Sequence, residues 1–196
     1  MHGSIRVGAK WGAFEAEQVL RWDRGFVWRA RARMNGLPVS GADRWVDGEG
    51  SMRWKILGII PVMTASGPEI SRAAAGRMNA EAMWLPGALL SRDVEWTEQD
   101  AGHAHAVIRA HAETTDLELT IDQGGAVRSV SFPRWHPGSA EEGGKYECFG
   151  GTCESDRSFA GVTIPSSYRF GWFYGTERFD RDGEFFRCTL DSVEYR

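Results

Sequence analysis

At 196 residues the chain has the length of one domain, or at most two small ones, and enough residues to bury a sizeable core. A formal net charge of -4, with no basic face or lysine-rich run, argues against a nucleic-acid partner. No stretch approaches the roughly 20 apolar residues of a membrane span, and Cys148, Cys153 and Cys188 are too few for a disulfide framework.

The opening residues, MHGSIRVGAKW, lack the apolar run of a secretion signal, so a cytoplasmic location is expected. Ser4 to Trp11 and Ala13 to Trp22 read as the first two strands, joined near Gly12. In the second, Phe14, Ala16, Gln18, Leu20 and Trp22 share one face, and Glu15, Glu17, Val19 and Arg21 the other. Asp23-Arg24-Gly25 is a turn. Phe26 to Met34 is the cleanest strand: Phe26, Trp28, Ala30 and Ala32 point one way, Val27, Arg29, Arg31 and Arg33 the other. Asn35-Gly36 is a tight-hairpin signal, and Val39 to Asp47 and Ser51 to Ile60 continue the meander until Pro61 stops it.

The stretch Ser66 to Leu90 is the clear helix. Ser66 with Glu69 has the capping-box pattern, Pro68 suits the first turn, and Pro86-Gly87 interrupts the end. At about 100° per residue, Ile70, Ala73, Ala74, Ala80, Trp84 and Leu85 form an apolar face, with Ser71, Arg72 and Asn79 opposite. Arg77 and Glu81 fall in the middle of that apolar face, four apart. Two readings stay open: a structural ion pair at a helix–sheet junction, or the polar end of a cavity that meets a ligand.

Beyond the helix, Asp93 to Gln99, Ala104 to Ala112, Leu117 to Ile121 and Val127 to Phe132 read as a second meander, followed by a loop from Pro133 to Gly144. Lys145 to Cys153, Ser167 to Tyr174, Thr176 to Phe179 and Glu184 to Tyr195 read as closing strands. The whole is a single domain over residues 1–196 of α+β class: a strongly curved antiparallel sheet of about 10 or 11 strands, a half-barrel, wrapped around one main helix. Such a sheet curls, and the helix is the element available to fill the concave side.

Four segments carry a resemblance. They are W-x-x-F-x-A-x-Q at Trp11, Phe14, Ala16 and Gln18; FVWRA at Phe26 to Ala30; R-x-x-x-E-x-x-W-L-P-x-A-L from Arg77 to Leu89; and G-x-x-I-P at Gly161 to Pro165. Together they are similar to a bacterial family of unknown function associated with the half-barrel fold of periplasmic lipoprotein carriers. The resemblance implies a curved sheet around a helix with a hydrophobic cavity, and no activity. The carriers' export signal and lipid-attachment cysteine have no counterpart near the start of this sequence.

Signatures of nucleophilic, phosphate-binding and zinc-protease sites are missing. His103, His105 and His111 share a strand face by parity, but His111 would lie about 20 Å further along at ~3.3 Å per residue, so the three read as a solvent-facing row and no metal or other cofactor is expected. Asp43 with Asp47, and Glu15 with Glu17, read as solvated strand faces. Cys148 and Cys153 fit no metal or redox spacing; at most one bridge, Cys148 to Cys153, is conceivable, and buried free thiols are the expectation. Nine tryptophans and ten phenylalanines remain a heavy aromatic load. By strand parity, Trp11, Phe14, Phe26, Trp28, Trp84, Trp96 and Trp172 are expected to line a shared interior. With Arg77 and Glu81 they form the candidate site for a hydrophobic or amphipathic, lipid-like small molecule. Arg77 would meet an anionic head group and Glu81 would hold Arg77. The alternatives are an enzyme of unrecognised type, a hydrolase or isomerase using the same cavity, or a structural or oligomeric module without a ligand.

Overall fold

The computed structural model describes residues 1–138 and 143–196, and the backbone but not the side chains of Glu98 and Gln99. Six strands come first: β1 (His2–Val7), β2 (Lys10–Arg21), β3 (Gly25–Met34), β4 (Leu37–Val46), β5 (Glu49–Ile56) and β6 (Ile60–Ser66). Helix α1 (Pro68–Ala80), a 3-10 turn (Glu81–Trp84) and the short α2 (Pro86–Leu89) follow. The chain then lays down β7 (Val94–Asp100), β8 (His103–Ala110), β9 (Glu113–Ile121), β10 (Val127–His136), β11 (Lys145–Phe159), β12 (Val162–Trp172) and, after a π turn at Phe179–Gly183, β13 (Glu184–Thr189).

Among the described residues the thirteen strands all belong to one antiparallel sheet, ordered β6-β5-β4-β3-β2-β1-β13-β12-β11-β10-β9-β8-β7. The chain therefore starts at the centre, walks out to the β6 edge, crosses by α1 to the β7 edge, and walks back until β13 pairs with β1. Helix α1 touches β4, β5 and β6 on one arm and β9 and β10 on the other. In a flat sheet β5 and β10, eight steps apart in this order, would lie roughly 38 Å from each other at ~4.8 Å per strand. One helix of about 10 Å diameter reaches both, so the sheet curls around it. Among the described residues the edges β6 and β7 have no further partner strand, and the sheet stays open.

Period-two patterning explains which face turns inward. Phe14, Ala16, Phe26, Trp28, Ala30 and Ala32 are buried, while Glu15, Glu17, Arg29 and Arg31 between them are exposed. From the second meander Ala106, Ile108, Leu117, Leu119, Val130 and Phe132 join the same core, and Met78 of α1 is fully enclosed by it. Close approach of α1 to the sheet needs Gly50, where an added Cβ would meet Ser71 Cα at 2.7 Å. The Ser71 hydroxyl in turn accepts from the Gly50 amide at 2.9 Å.

Several expectations are corrected. The strand expected to run to Ile60 turns at Leu57-Gly58, and Pro61 lies within the edge strand β6, where its missing N–H faces no partner strand. The loop expected from Pro133 is strand as far as His136, and its residues 139–142 lie outside the described residues. Strand β11 runs on to Phe159, and Thr176 to Phe179 is a turn instead of a strand. The capping box does not form. Gly67 is the N-cap with φ 105°, Ser66 ends β6, and the Glu69 carboxylate accepts from the Trp135 indole at 2.7 Å. Leu85, held extended by Pro86 after it, divides the predicted long helix. Asn79, assigned to the wet face, is fully buried, because the β8–β9 hairpin covers that side as well.

Candidate functional site

Helix α1 brings Arg77 against the concave face of β2, β3 and β4. Its Nε donates to Glu81 Oε1 at 2.6 Å, and a terminal nitrogen donates to Gln18 Oε1 at 2.9 Å. The amide of Gln18 donates onward to Glu81 Oε2 at 2.6 Å, which closes a ring of three side chains. Asp43 Oδ2 lies 3.8 Å from the guanidinium, and the Trp54 indole donates to Asp43 Oδ1 at 2.8 Å. The Phe26 ring centroid is 4.3 Å from the guanidinium carbon, and that of Trp28 is 5.8 Å away. Side-chain exposures of 22% for Arg77, 17% for Asp43 and 9% for Glu81 place this network largely out of water.

Burial sets its electrostatics. The Asp43 carboxyl is pushed up by burial, against the pull of Arg77 and the Trp54 hydrogen bond. Burial alone would lower the Arg77 pKa, but Glu81 and Asp43 outweigh it and the guanidinium is held more firmly charged than usual. Burial also raises the Tyr168 hydroxyl well above its ordinary value, with Cys188 close by.

A second arginine lies beside this network. Arg134 of β10 donates through Nε to the Ala73 carbonyl at 3.3 Å, and its guanidinium carbon sits 4.7 Å from the Phe149 centroid and 5.4 Å from that of Trp172. Among the described residues it makes no ion pair. Burial, followed by the like charge of Arg77, brings its pKa down to about 10. His136 packs edge-on against Trp172, so Arg134, His136, Phe149 and Trp172 form a half-buried basic and aromatic cluster.

Of the nine residues singled out from sequence, seven face the interior: Arg77, Glu81, Phe14, Phe26, Trp28, Trp84 and Trp172. Trp84 donates its indole N–H to the Pro165 carbonyl at 3.2 Å and stacks near Tyr168. Trp11 and Trp96 do not belong with them. Trp11 shares parity with exposed Glu15, not with Phe14, and lies outside between Arg6 and Arg187. Trp96 is on the edge strand β7, 43% exposed, and caps the Leu89 carbonyl. Two open clefts lie elsewhere, one by Arg72, His111 and Glu113 and one by Ser4, Glu154 and Arg187.

Two residues of the network, and the arginine beside it, were missed. Asp43 was read as solvated, but it shares parity with buried Trp45 and turns inward. Gln18 was visible on the Phe14 face without a role, and Arg134 fell in the predicted loop. The histidines part company. His103 pairs with Asp100, His105 lies near Asp116 and Glu118, and His111 is half-buried in a turn between Trp22 and Trp45. The expected solvent-facing row is therefore corrected at His111. The expectation of buried free thiols is corrected at Cys148, which is exposed, whereas Cys153 and Cys188 are buried free thiols whose pKa values burial pushes up to about 12 and about 11. Among the described residues no group of three or more His, Cys, Asp or Glu could hold a metal, and no helix is long and apolar enough to cross a membrane.

Comparison with curated proteins and with solved structures returned no match. A family of unknown function, DUF6920, matches residues 1–195, and the chain belongs to that family.

Proposed function

We propose that the concave face between the sheet and α1 binds a hydrophobic or amphipathic small molecule with an anionic group, lipid-like in kind, and that Arg134 meets the anion. The observation that carries this reading is Arg134 itself. It lies half-buried against two aromatic rings with one hydrogen bond to the protein and no ion pair among the described residues. A guanidinium on aromatic faces, with its fork unoccupied by carboxylate, is suited to a carboxylate or phosphate. Arg77 is already matched by Glu81, Gln18 and Asp43, and acts as a fixed charge behind the contact. Phe26, Trp28, Trp84 and Trp172 supply the apolar wall, opened by side-chain movement. The resemblance of the sequence to the lipoprotein-carrier half-barrel is in keeping with this reading, but a shared fold would carry no activity.

A second reading is favoured by one observation: no buried side-chain nitrogen or oxygen among the described residues lacks a partner. On that reading the cluster only fastens α1 to the sheet. Titration of oleate and of oleyl alcohol into the wild type and Arg134→Gln separates the two. The binding reading expects oleate affinity to fall about tenfold in the variant and alcohol affinity to hold. Equal losses, or a wild type that takes up neither molecule, would leave the structural reading. Native mass spectrometry with solvent extraction identifies any ligand retained on purification.

A further inference from the structure

One corner of the sheet carries an apolar surface that the concave site does not use. Leu37, Leu57, Ile59, Ile60, Val62 and Met63 are each 47–73% exposed, half of the large apolar side chains exposed among the described residues. Register gathers them. Ile56 pairs with Ile60 and Trp54 with Met63 across the β5–β6 hairpin, and the Leu57 amide donates to the Pro38 carbonyl, beside Leu37, at 2.9 Å. Left-handed Leu57 and Gly58 make the tight turn that carries Leu57 and Ile59 at the hairpin tip.

The charges around this corner have one sign. Residues 32–42 and 50–68 contain Arg33, Arg53 and Lys55 and no aspartate or glutamate, in a chain whose net charge is -4. All three cations are exposed on the outer face and make no ion pair among the described residues. Arg29 and Arg31, further along β3, differ: Glu17 and Glu15 lie directly across from them.

We propose that this corner docks on the surface of an anionic lipid bilayer, with the hairpin tip among the head groups and Arg33, Arg53 and Lys55 on lipid phosphates. An apolar hairpin tip and edge, with unpaired cations on the outer face of the strands that lead to it, match that surface in both hydrophobicity and charge. Edge-to-edge pairing with a second copy fits less well. Pro61 removes a donor from β6, and the register shift at Trp54 and Lys55 bends that edge. This inference does not rest on the ligand reading, since none of its residues belongs to the Arg77 network or to the cluster around Arg134.

Co-sedimentation of the full chain tests it, with vesicles of phosphatidylcholine alone and of phosphatidylcholine mixed with phosphatidylglycerol. The wild type is expected to sediment with the mixed vesicles, less with the neutral ones, and less as salt is raised. Arg53→Gln with Lys55→Gln is expected to weaken binding about thirtyfold, at the free energy typical of two cations on such a surface. Ile59→Ser with Ile60→Ser is expected to weaken it about tenfold or more on either vesicle. Because these side chains are exposed, both variants should keep the wild-type thermal transition, which is measured alongside. Absence of sedimentation with mixed vesicles at low salt overturns the proposal, as does undiminished binding by the glutamine pair. A dimer that the serine pair dissolves, in a protein that ignores vesicles, assigns the corner to a second copy and overturns it too.

Discussion

Arg77 is held by partners from three elements: Glu81 one turn on, Gln18 of β2 and Asp43 of β4. Removing it leaves two carboxylates largely out of water without their cation. Truncation of one partner in such a network typically costs about 3–5 kcal/mol. We therefore expect Arg77→Leu to lower the urea-unfolding free energy by about that much, and Arg77→Leu with Glu81→Leu to cost clearly less than the sum of the single variants. Additive losses would mean the pair is not coupled. The sequence made the pair legible, because its spacing of four on an apolar helix face needs no tertiary knowledge. Gln18 and Asp43 were legible only by parity, as polar positions on faces marked by Phe14 and Trp45, and parity does not say which strand face a helix will cover. Arg134 was out of reach, since Pro133 beside it read as a strand breaker.

At the scale of elements, helix α1 was located well and its surroundings poorly. Periodicity placed the apolar stripe through Ile70, Ala73, Ala74 and Ala80, whereas the buried positions of α1 are Ala75, Gly76, Met78, Asn79 and Ala80, and the buried Asn79 shows that a second wall covers the helix. That wall is the β8–β9 hairpin, fixed by His111. Its ring sits edge-on to Trp22 and Trp45, and its nitrogens lie 2.7 Å from Asn79 Oδ1 and 2.7 Å from the Trp22 carbonyl. Both neighbours are acceptors, so the neutral ring satisfies one of them and the imidazolium both, while burial pushes its pKa below the ordinary value. Through this one side chain the far arm of the sheet touches the near one. His111→Ala removes the ring and the hydrogen bonds, and is expected to cost about 2–4 kcal/mol. Amide exchange should quicken in β8 and β9 more than in β2 and β3. Uniform quickening across the sheet would show that His111 is not a local clasp. Alternation predicted these strands, but a histidine at φ 59° in a tight turn follows from no period.

For the molecule as a whole, hairpin signals read along the sequence recover most neighbouring strand pairs and overlook the one that joins the two halves. β1 and β13 pair from His2 with Thr189 to Ile5 with Phe186, across nearly the full length of the chain, and no local turn announces such a contact. Strand β6 was lost for a local reason, since Pro61 looks like a terminus until the strand is known to be an edge. The β1–β13 seam matters because it is the hydrogen-bonded ladder that joins the six-strand and seven-strand arms, which α1 and His111 also bridge. Gly3 sits in the seam with no room beside it: an added Cβ would lie 1.9 Å from the Arg187 carbonyl oxygen and 2.9 Å from Cys188 Cα. These are backbone atoms, so relief requires the two strands to separate. Gly3→Ala is therefore expected to destabilise the fold by about 3 kcal/mol, although it adds a single methyl group. Amide exchange should rise along β1 and β13 first, with the outer hairpins of each arm protected longer. If Gly3→Ala unfolds at the wild-type denaturant concentration, the two arms are held together chiefly by α1 and the seam contributes little.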